Sequence, residues 1–583
     1  MKHSFLNGRI IADGYLYEDV PYDVSANNLS VCFDGKGGIT KYLSVRNGVN
    51  YSERSMASFY VGGIRVGAYT EKQVSMAGRM QEICLSGDGY RIEIKQFITK
   101  QDEAVFVEMV FSAKEETEFT VVYGTGTSWA VPAFACDSGW EFVEENYAFK
   151  IPVAVCGEKR LRFVIAYEGN SSDCQLLLDR FDEKSSEARE EIDKVVFPAS
   201  VQTEAEKAVY LSALFCAYEN YKEYGDWKGF VAGCHYLNPL RTYYRDSYWT
   251  VLPMYSYDIS LVKQQICTLA KGVADDGSCP SAVKKDFSAF WGGHYDSPSF
   301  FVMMVYDYVN HSGDRAFLQE SINGKTVYNL CELAINKQME RTDRTGLLYK
   351  QGPFNKLDWA DEVNRNGYVT YDEALYYRAL TCMEKICRAC KKDGEVYRLA
   401  AEKVKKAVNE ILWDEEKGYY VNYVDGDFTE DNLSVDTVLT YLFGIAEGKR
   451  AERMFDAMEQ LLETKNNSMQ KAGDYGVMCV YPFYKHIDAA YFKSSQDYEY
   501  HNGANWPYLS AIYAYAKYLA GRDYRYPLES WFFYNLECGV FTPIEYFSPC
   551  RKCGSTLQAW SGAAAFVYDF IGKDSFFGAK ELK

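Results

Sequence analysis

The chain has 583 residues, of which 48% are hydrophobic and 16% aromatic, a composition that excludes wholesale disorder. This length exceeds what one ordinary hydrophobic core supports, so two or more domains are expected. The 63 basic and 81 acidic residues give a net charge of −18. A surface of that sign repels phosphate backbones, which argues against nucleic acid as a partner.

Residues 1–190 show a pattern typical of β-strands. Short segments such as LSVCFDG, YRIEIKQFITK, AVFVEMVFSA, EFTVVYG, FKIPVAVC and LRFVIAYEG alternate or run apolar between Gly, Asn and Asp turn signals. Strands without intervening helices predict a β-sandwich. The charged segment before Pro198 predicts a linker over residues 191–202.

From residue 203 to 583 the pattern changes to helices with apolar residues at 3.6-residue spacing. They come as hairpins at roughly fifty-residue intervals, an aromatic-rich inner helix followed by a more amphipathic one. A ring of about six hairpins is an (α/α)6 toroid. The alternative, an α-solenoid, would show a tighter sequence repeat.

The sequence gives little sign of export, membrane insertion or metal binding. It has no secretory signal and no stretch of roughly 18 apolar residues, so we expect a soluble, cytoplasmic protein without a membrane partner. Its 17 cysteines are read as reduced thiols. Two C-x-x-C pairs, Cys387/Cys390 and Cys550/Cys553, would together supply four zinc ligands, but about 160 residues separate them. We therefore expect no metal and no cofactor.

Polar and aromatic clusters precede several predicted inner helices, and the loops there should surround one central depression. Aromatic rings stack on the apolar faces of pyranoses, while carboxylates and amides bind their hydroxyls. The clusters therefore predict a carbohydrate site. They are LRTYYRDSYW, WGGHYDSPSFF, LDWADEVNRNGYVTYDEALYY, EYHNGANWPYLS and TPIEYFSPCRKCGSTLQAWSGAAA.

The last cluster resembles a specific signature. IEYFSPCRKCGSTLQAWSGAAA is similar to the E-x-Y-x-P…G…W-S-x-A pattern of inverting (α/α)6 glycosidases in glycoside hydrolase family 63 and the trehalase family 37. The glutamate that opens this pattern is the general base there. The resemblance implies that Glu545 is the base and that Tyr546 and Trp560 belong to the substrate site.

The cluster around Trp359 resembles a second motif. LDWADEVNRNGYVTYDEALYYRAL is similar to the W-M-D-A…G…V-T-P…N-A-L-W-Y-N-A-L segment of the glucosidase domain of glycogen-debranching enzymes. The aspartate two residues after the tryptophan is the general acid there, which implies Asp361. We expect Asp358 and Glu362 to bind sugar hydroxyls or to raise the pKa of Asp361 by like charge.

Three further segments match the same families in the same order. YYRDSYWTVLPM resembles W-G-R-D-T…A-L-P, which implies that Arg245 and Asp246, with Trp249 nearby, hold the non-reducing sugar. HNGANWPYLSAIYAYA resembles N-G-x-x-W-P and implies Asn502 and Trp506, and the loop with Asp296 is similar to another loop of these domains. Glu362 and Glu373 replace small or amide residues of the debranching pattern, so the substrate stays open.

These motifs predict an inverting, exo-acting glycoside hydrolase that cleaves a small α-glucoside or related oligosaccharide. Such enzymes pair a protonated acid with an ionised base about 6.5 to 9.5 Å away, leaving room for a water. The alternatives are an inverting disaccharide phosphorylase, an α-L-rhamnosidase-like enzyme and, least favoured, a sugar-binding protein without activity. The sugar, the linkage, the chain length and a homo-oligomeric state are left open.

Overall fold

The protein is described by a computed structural model over residues 2–14, 20–52, 57–125, 130–292, 294–351, 358–485, 487, 493–550, 553–578 and 582. The chain divides into two compact units. The first comprises Met1–Lys222 and Asn535–Pro543. The second comprises Glu223–Tyr534 and Ile544–Lys583.

The first unit is built mainly of antiparallel strands in two sheets. Within the described residues the larger sheet has eleven strands and the order β1-β2-β9-β10-β11-β12-β15-β13, with β7 on β12, β8 on β7 and β14 on β15; the smaller has the order β3-β4-β5-β6. The strands are β1 Lys2–Leu6, β2 Arg9–Asp13, β3 Tyr22–Ser25, β4 Leu29–Phe33, β5 Ile39–Ser44, β6 Val49–Ser52, β7 Ala57–Val61, β8 Ile64–Arg65, β9 Glu71–Ala77, β10 Met80–Gly87, β11 Tyr90–Phe97, β12 Val105–Gly124, β13 Ala133–Cys136, β14 Glu141–Val143 and β15 Ala148–Ala166.

The two sheets are linked by buried polar contacts. The Tyr22 hydroxyl donates to the Gly78 carbonyl oxygen at 2.7 Å, and Gln96 Nε2 donates to the Asp34 carbonyl oxygen at 3.4 Å. Two pairs of predicted strands are each one continuous strand. Strand β12 covers 104–113 and 118–124 almost entirely, because a bulge after Ala113 bends the strand without ending it. Strand β15 likewise covers 149–156 and most of 161–169.

Three helices complete the first unit: α1 Ser171–Asp179, α2 Phe181–Asp193 and α3 Glu204–Tyr218. Asn170 and Thr203 form capping boxes at the starts of α1 and α3, which satisfy the first unpaired amides. Helix α2 occupies the beginning of the predicted linker. Helix α3, assigned from sequence to the helical domain, packs against β1 and β2.

The second unit is mainly helical, with short strands in its loops. Its helices are α4 Tyr244–Thr250, α5 Met254–Tyr257, α6 Ile259–Ala270, α7 Ser297–Ser312, α8 Val327–Met339, α9 Thr370–Ala389, α10 Glu395–Ile411, α11 Leu439–Leu442, α12 Gly448–Leu461, α13 Pro507–Leu519, α14 Arg525–Glu537 and α15 Ala563–Phe570. The short strands are β16 Tyr221–Tyr224, β17 Trp227–Phe230, β18 Arg241–Tyr243, β19 Ala282–Lys284, β20 Ala289–Phe290, β21 Ser321–Ile322, β22 Lys325–Thr326, β23 Tyr368–Val369, β24 Trp413–Asp414, β25 Tyr419–Tyr420, β26 Tyr423–Asp425, β27 Phe428–Glu430, β28 Leu433–Ser434 and β29 Val480–Tyr481.

The inner segments of this unit close into a ring. Helix α4 contacts α7, α7 contacts α9, and α9 contacts the segment 435–442, formed by a 3₁₀ turn and α11. That segment contacts α13, which contacts 559–570, a 3₁₀ turn followed by α15; its 3₁₀ turn contacts α4 again. Helices α7 and α13 are buried on nearly all sides, as expected for helices enclosed by neighbours. The predicted fold class, a β-sandwich followed by an (α/α)6 toroid, is confirmed.

Candidate active site

The starts of three inner helices meet around a buried carboxylate, Asp296. Arg245 Nη1, from α4, donates to Asp296 Oδ2 at 3.0 Å, and the Tyr371 hydroxyl, from the first turn of α9, donates to the same oxygen at 3.3 Å. Burial raises the pKa of the neighbouring Asp246 to about 6, against the opposing effect of Arg245. In the described part of the chain, Arg245 Nε and Asp296 Oδ1 are buried without a hydrogen-bond partner. Such buried polar atoms are suited to receive a polar ligand.

An aromatic cluster forms one wall of the site. The Trp506 ring lies 5.4 Å from Trp359, 5.6 Å from Tyr546 and 5.8 Å from Trp560, measured between centroids. Tyr508 stacks on Trp560 at 4.2 Å. All five rings are buried, because each is covered by the others. The cluster excludes water and strengthens electrostatic interactions beside it.

Asp358 is locked in a buried ion-pair network. It accepts hydrogen bonds from Arg365 Nη2 at 2.8 Å and Nε at 3.2 Å, and from Lys350. Although burial alone would raise its pKa, Arg365 and Lys350 hold the pKa of Asp358 well below its usual range. Two cations therefore balance its charge. The expected like-charge effect of Asp358 on Asp361, and its expected contact with sugar hydroxyls, are not what this geometry favours.

The same network fixes Trp359. Arg365 Nη1 donates to Asp436 Oδ2 at 2.8 Å, and Trp359 Nε1 donates to the same oxygen at 2.5 Å. Asp436 begins the inner segment 435–442, so the loop before α9 is bound to the next segment of the ring. The backbone that carries Asp361 is thereby held in place.

Asp361 and Glu362 extend from this fixed loop. The Asp361 side chain is 25% exposed, and its Oδ1 lies 3.9 Å from His501 Nε2. The Glu362 amide donates to His501 Nδ1 at 3.3 Å. Glu362 Oε2 accepts from the amide and the hydroxyl of Ser494, both at 3.3 Å. The Asp361 side chain is thus partly open to solvent, while Glu362 binds a neighbouring loop.

Glu545 lies on an irregular loop that is held by paired backbone segments. Its amide donates to the Ser555 carbonyl oxygen at 3.0 Å, and Phe547 pairs with Asn505 in front of α13. The residue is 8% exposed. Burial raises the pKa of Glu545 to about 7; the charges of Asp361 and Asp246 add to this rise, and Lys493 opposes it. Asp361, Asp246 and Lys493 therefore lie within electrostatic reach of Glu545.

Tyr500 lies between the two loops. Burial, and then the charges of Asp361 and Glu545, raise its pKa, and Lys493 Nζ lies 4.5 Å from its ring centroid. Its φ of 44° is left-handed, which costs a tyrosine backbone strain. Strain of this kind is retained where the surrounding structure uses the resulting side-chain position.

Two predicted substrate-binding residues lie behind the surface of the site. Trp249 is fully buried, with its ring 5.7 Å from Phe300 and 6.1 Å from Tyr508. Asn502 is also buried, and its Oδ1 accepts the Tyr484 amide at 3.0 Å. Trp249 packs among aromatic rings and Asn502 binds backbone, so both are held by protein contacts, and their assignment to the substrate site stays a prediction.

Sequence reasoning did not assign roles to several residues that organise the site. Asp436 lies in the first turn of an inner segment and Arg365 lies inside one of the quoted clusters, so their positions in the sequence were the available signal. Lys350 carries no such signal, since only the folded loop brings it to Asp358. The residues concerned are Lys350, Arg365, Tyr371, Asp436, Lys493, Tyr500 and His501.

A closed ring of inner helices, with carboxylates and aromatic rings on the loops at its centre, is the architecture of an (α/α)6 glycosidase. The sequence model of the family described as amylo-alpha-1,6-glucosidase matches residues 226–566, more than half of the chain. The chain therefore belongs to this family, as its motifs predicted, and it is a glycoside hydrolase. The alternative of a sugar-binding protein without activity is thereby set aside.

Solved structures with the same fold are distant in sequence. A bacterial glucoamylase complexed with acarbose matches with a TM-score of 0.64 and 12% identity, covering 97% of this chain and 98% of that chain. A family 78 rhamnosidase of Bacillus sp. GL1 matches with a TM-score of 0.50 and 17% identity, covering 82% of this chain and 47% of that chain. A Klebsiella oxytoca rhamnosidase with rhamnose bound matches at 0.50 and 14%, covering 82% and 88%. These likenesses establish the fold alone.

Two further results concern the sequence and the helices. A search of curated protein sequences gave no significant match. Across the described helices, none combines the length and the apolar character needed to cross a membrane.

Gly554 provides a test of the Glu545 loop. A Cβ at this position would lie 2.6 Å from both Cβ and Oε2 of Glu545, closer than real contacts allow. We expect Gly554→Ala to displace the carboxylate and to lower kcat/KM by about 100-fold, since a 1 Å misplacement costs this much. The measurement is steady-state hydrolysis together with thermal unfolding.

Gly139→Ala is the matched control, because open space surrounds that glycine. It should leave both activity and stability unchanged. Full activity in Gly554→Ala would contradict the close packing of this loop against Glu545.

Proposed function

We propose that this glycoside hydrolase is an inverting, exo-acting enzyme that cleaves a small α-glucoside or related oligosaccharide, with Asp361 as general acid and Glu545 as general base. The observation that carries this proposal is the pair itself. One carboxyl lies partly exposed on the loop before α9, and the other is nearly buried on the loop before the segment 559–570. The negative charge of Asp361 contributes to the raised pKa of Glu545.

Inverting hydrolysis requires one carboxyl that donates a proton and one carboxylate that accepts a proton. Asp361, protonated, gives its proton to the glycosidic oxygen as the bond to the anomeric carbon breaks. Glu545, ionised, takes a proton from a water that attacks the anomeric carbon from the opposite face. The products are a sugar of inverted configuration and the free leaving alcohol.

The two carboxyls repel each other when both are ionised, since the charge of Asp361 raises the pKa of Glu545. When Asp361 carries the proton, its repulsion of Glu545 disappears, and Glu545 ionises more readily. The reactive state therefore holds one proton on Asp361 and one negative charge on Glu545. Lys493, which lowers the pKa of Glu545, favours the same state.

The remaining groups suit the binding of a terminal sugar. Arg245 and Asp296 hold buried polar atoms without hydrogen-bond partners, and Asp246 acts electrostatically on Glu545. Tyr546 and Trp560 keep small exposed edges beside the base. The inner segments contact one another around a closed ring, an arrangement that suits the binding of a chain end and supports exo action.

The α-glucoside is favoured by the family description and by the likeness to a glucoamylase complexed with acarbose. A cytoplasmic location is proposed because all 17 cysteines are free thiols, as is usual in a reducing compartment.

Leaving-group dependence separates the acid from the base. Asp361→Asn should lower kcat/KM on an α-linked glucose disaccharide by about 10² to 10⁴-fold, the usual contribution of a general acid. It should retain most activity on α-D-glucosyl fluoride, because fluoride leaves without protonation. Glu545→Gln should lose activity on both substrates. Both rates are measured by glucose or fluoride release.

Asp427 is exposed, so Asp427→Asn is the matched control and should behave as the unaltered enzyme. The opposite pattern, with fluoride hydrolysis surviving only in Glu545→Gln, would exchange the two roles. Activity that needs inorganic phosphate and survives Glu545→Gln would instead identify a phosphorylase.

The pH dependence of the reaction reports the base. A base works only when ionised, and burial has raised the pKa of Glu545 to about 7. We therefore expect kcat/KM to fall by about tenfold per pH unit as the pH drops below about 7. Lys493→Met should move this acidic limb to higher pH, since the ammonium lowers the pKa of Glu545.

Lys406 is exposed, so Lys406→Met serves as the control and should leave the acidic limb of the pH profile unchanged. A rate that stays constant down to pH 5 would be incompatible with Glu545 as the base.

A further inference from the structure

His501 is held rigidly next to the proposed acid. It lies on the segment before α13, is fully buried, and stacks on Trp506 with 4.9 Å between centroids and 12° between planes. The edge of Trp359 meets it at 5.2 Å and 87°. These two rings prevent the imidazole from turning, so its nitrogens point in fixed directions.

The two nitrogens have different surroundings. Nδ1 accepts the amide hydrogen of Glu362 at 3.3 Å, so in the neutral ring the hydrogen is carried by Nε2. Nε2 lies 3.9 Å from Asp361 Oδ1 and, in the part of the chain that the structure describes, has no hydrogen-bond partner. A histidine that served only the core would have both nitrogens satisfied.

The ring is kept uncharged by its surroundings. Burial lowers the pKa of His501 well below its usual value, and three of the nearby charges are cations that oppose protonation. The charged groups that act on it, besides the adjacent Asp361 and Glu362, are Asp358, Arg365, Arg245 and Lys493.

We propose that His501 is a positioning residue for the general acid: its Nε2–H binds Oδ1 of Asp361 and directs the protonated Oδ2 toward the leaving oxygen. This proposal rests on the assignment of Asp361 as the acid. The separation of 3.9 Å exceeds a hydrogen bond, and catalytic hydrogen bonds that are long without substrate tighten when it binds.

A neutral donor suits an acid better than a cation does. It stabilises the carboxylate that remains after proton transfer, through one hydrogen bond. A protonated imidazole would add a full charge and would lower the pKa of Asp361 far enough to empty it of its proton. The consecutive residues Asp361 and Glu362 both lie next to the His501 ring. The same stretch of backbone therefore carries the proposed acid and, through the Glu362 amide, fixes the tautomer of His501.

The test compares two substrates in His501→Phe, which keeps an aromatic ring between Trp506 and Trp359 and removes both nitrogens. We expect kcat/KM on an α-linked glucose disaccharide to fall by about tenfold or more, and on α-D-glucosyl fluoride by less than about threefold. The basic limb of the pH profile for the disaccharide should move to higher pH. Loss of the donor raises the pKa of Asp361, and the acid must stay protonated to act.

His501→Gln, which keeps an amide donor, should recover part of the disaccharide rate and return the limb toward its original position. If His501→Phe does not fold, the substrate comparison and the pH profile of His501→Gln test the proposal by themselves. Equal losses on both substrates, or an unmoved basic limb, would overturn the proposal and leave His501 a structural residue. If Asp361→Asn itself shows no difference between the two substrates, the acid assignment fails instead, and the two failures are thus distinguished.

Discussion

The site depends on one buried interaction, the contact of the Arg365 guanidinium with both Asp358 and Asp436. Removing three charged groups from water is expensive, and the interaction is favourable only when the geometry satisfies nearly every hydrogen bond. Here Arg365 makes bonds from all three of its nitrogens, and Lys350 binds the remaining side of Asp358. The loop that carries Asp361, the proposed acid, is therefore bound to the neighbouring inner segment through Arg365 and Asp436.

Burial has different effects on the carboxyls of the site. Asp358 keeps its charge because two cations contact it, whereas the pKa of Glu545 rises to about 7 because desolvation and like charge outweigh the effects of Lys493 and of the Ser555 backbone. Asp361 stays partly exposed between them. The aromatic cluster around Trp506 maintains these differences, since it excludes water that would otherwise equalise the environments. A pair of carboxyls held apart in this way is what acid and base catalysis on one substrate requires.

Much of this was predictable from the sequence, because the signals were local. Alternating strands, helices at 3.6-residue spacing and five motifs in order predicted the fold class and the family. The positions of Asp361 and Glu545 followed from motif spacing, and their roles stay proposals. The merging of predicted strands into β12 was not predictable, since a bulge and a turn have the same local sequence character.

The remaining features of the site depend on how the inner segments close into a ring, which no single stretch of sequence determines. Asp358 was expected to touch sugar or to influence Asp361, but Lys350 and Arg365 reach it only in the folded loop. Trp249 and Asn502 were chosen by motif position, and the packing of Phe300 and Tyr484 places them behind the surface. His501 was visible in its motif, yet the direction of its nitrogens became apparent only from its stacking on Trp506.

The stereochemistry of the first product tests the central claim most directly. Proton NMR of freshly mixed enzyme and α-D-glucosyl fluoride, whose leaving group is not a sugar, would show which glucose anomer forms before mutarotation. A water activated by Glu545 on the face opposite Asp361 gives β-glucose first. Initial release of α-glucose would mean retention, and would contradict the assignment of Asp361 and Glu545 as an acid and base that act across a water molecule.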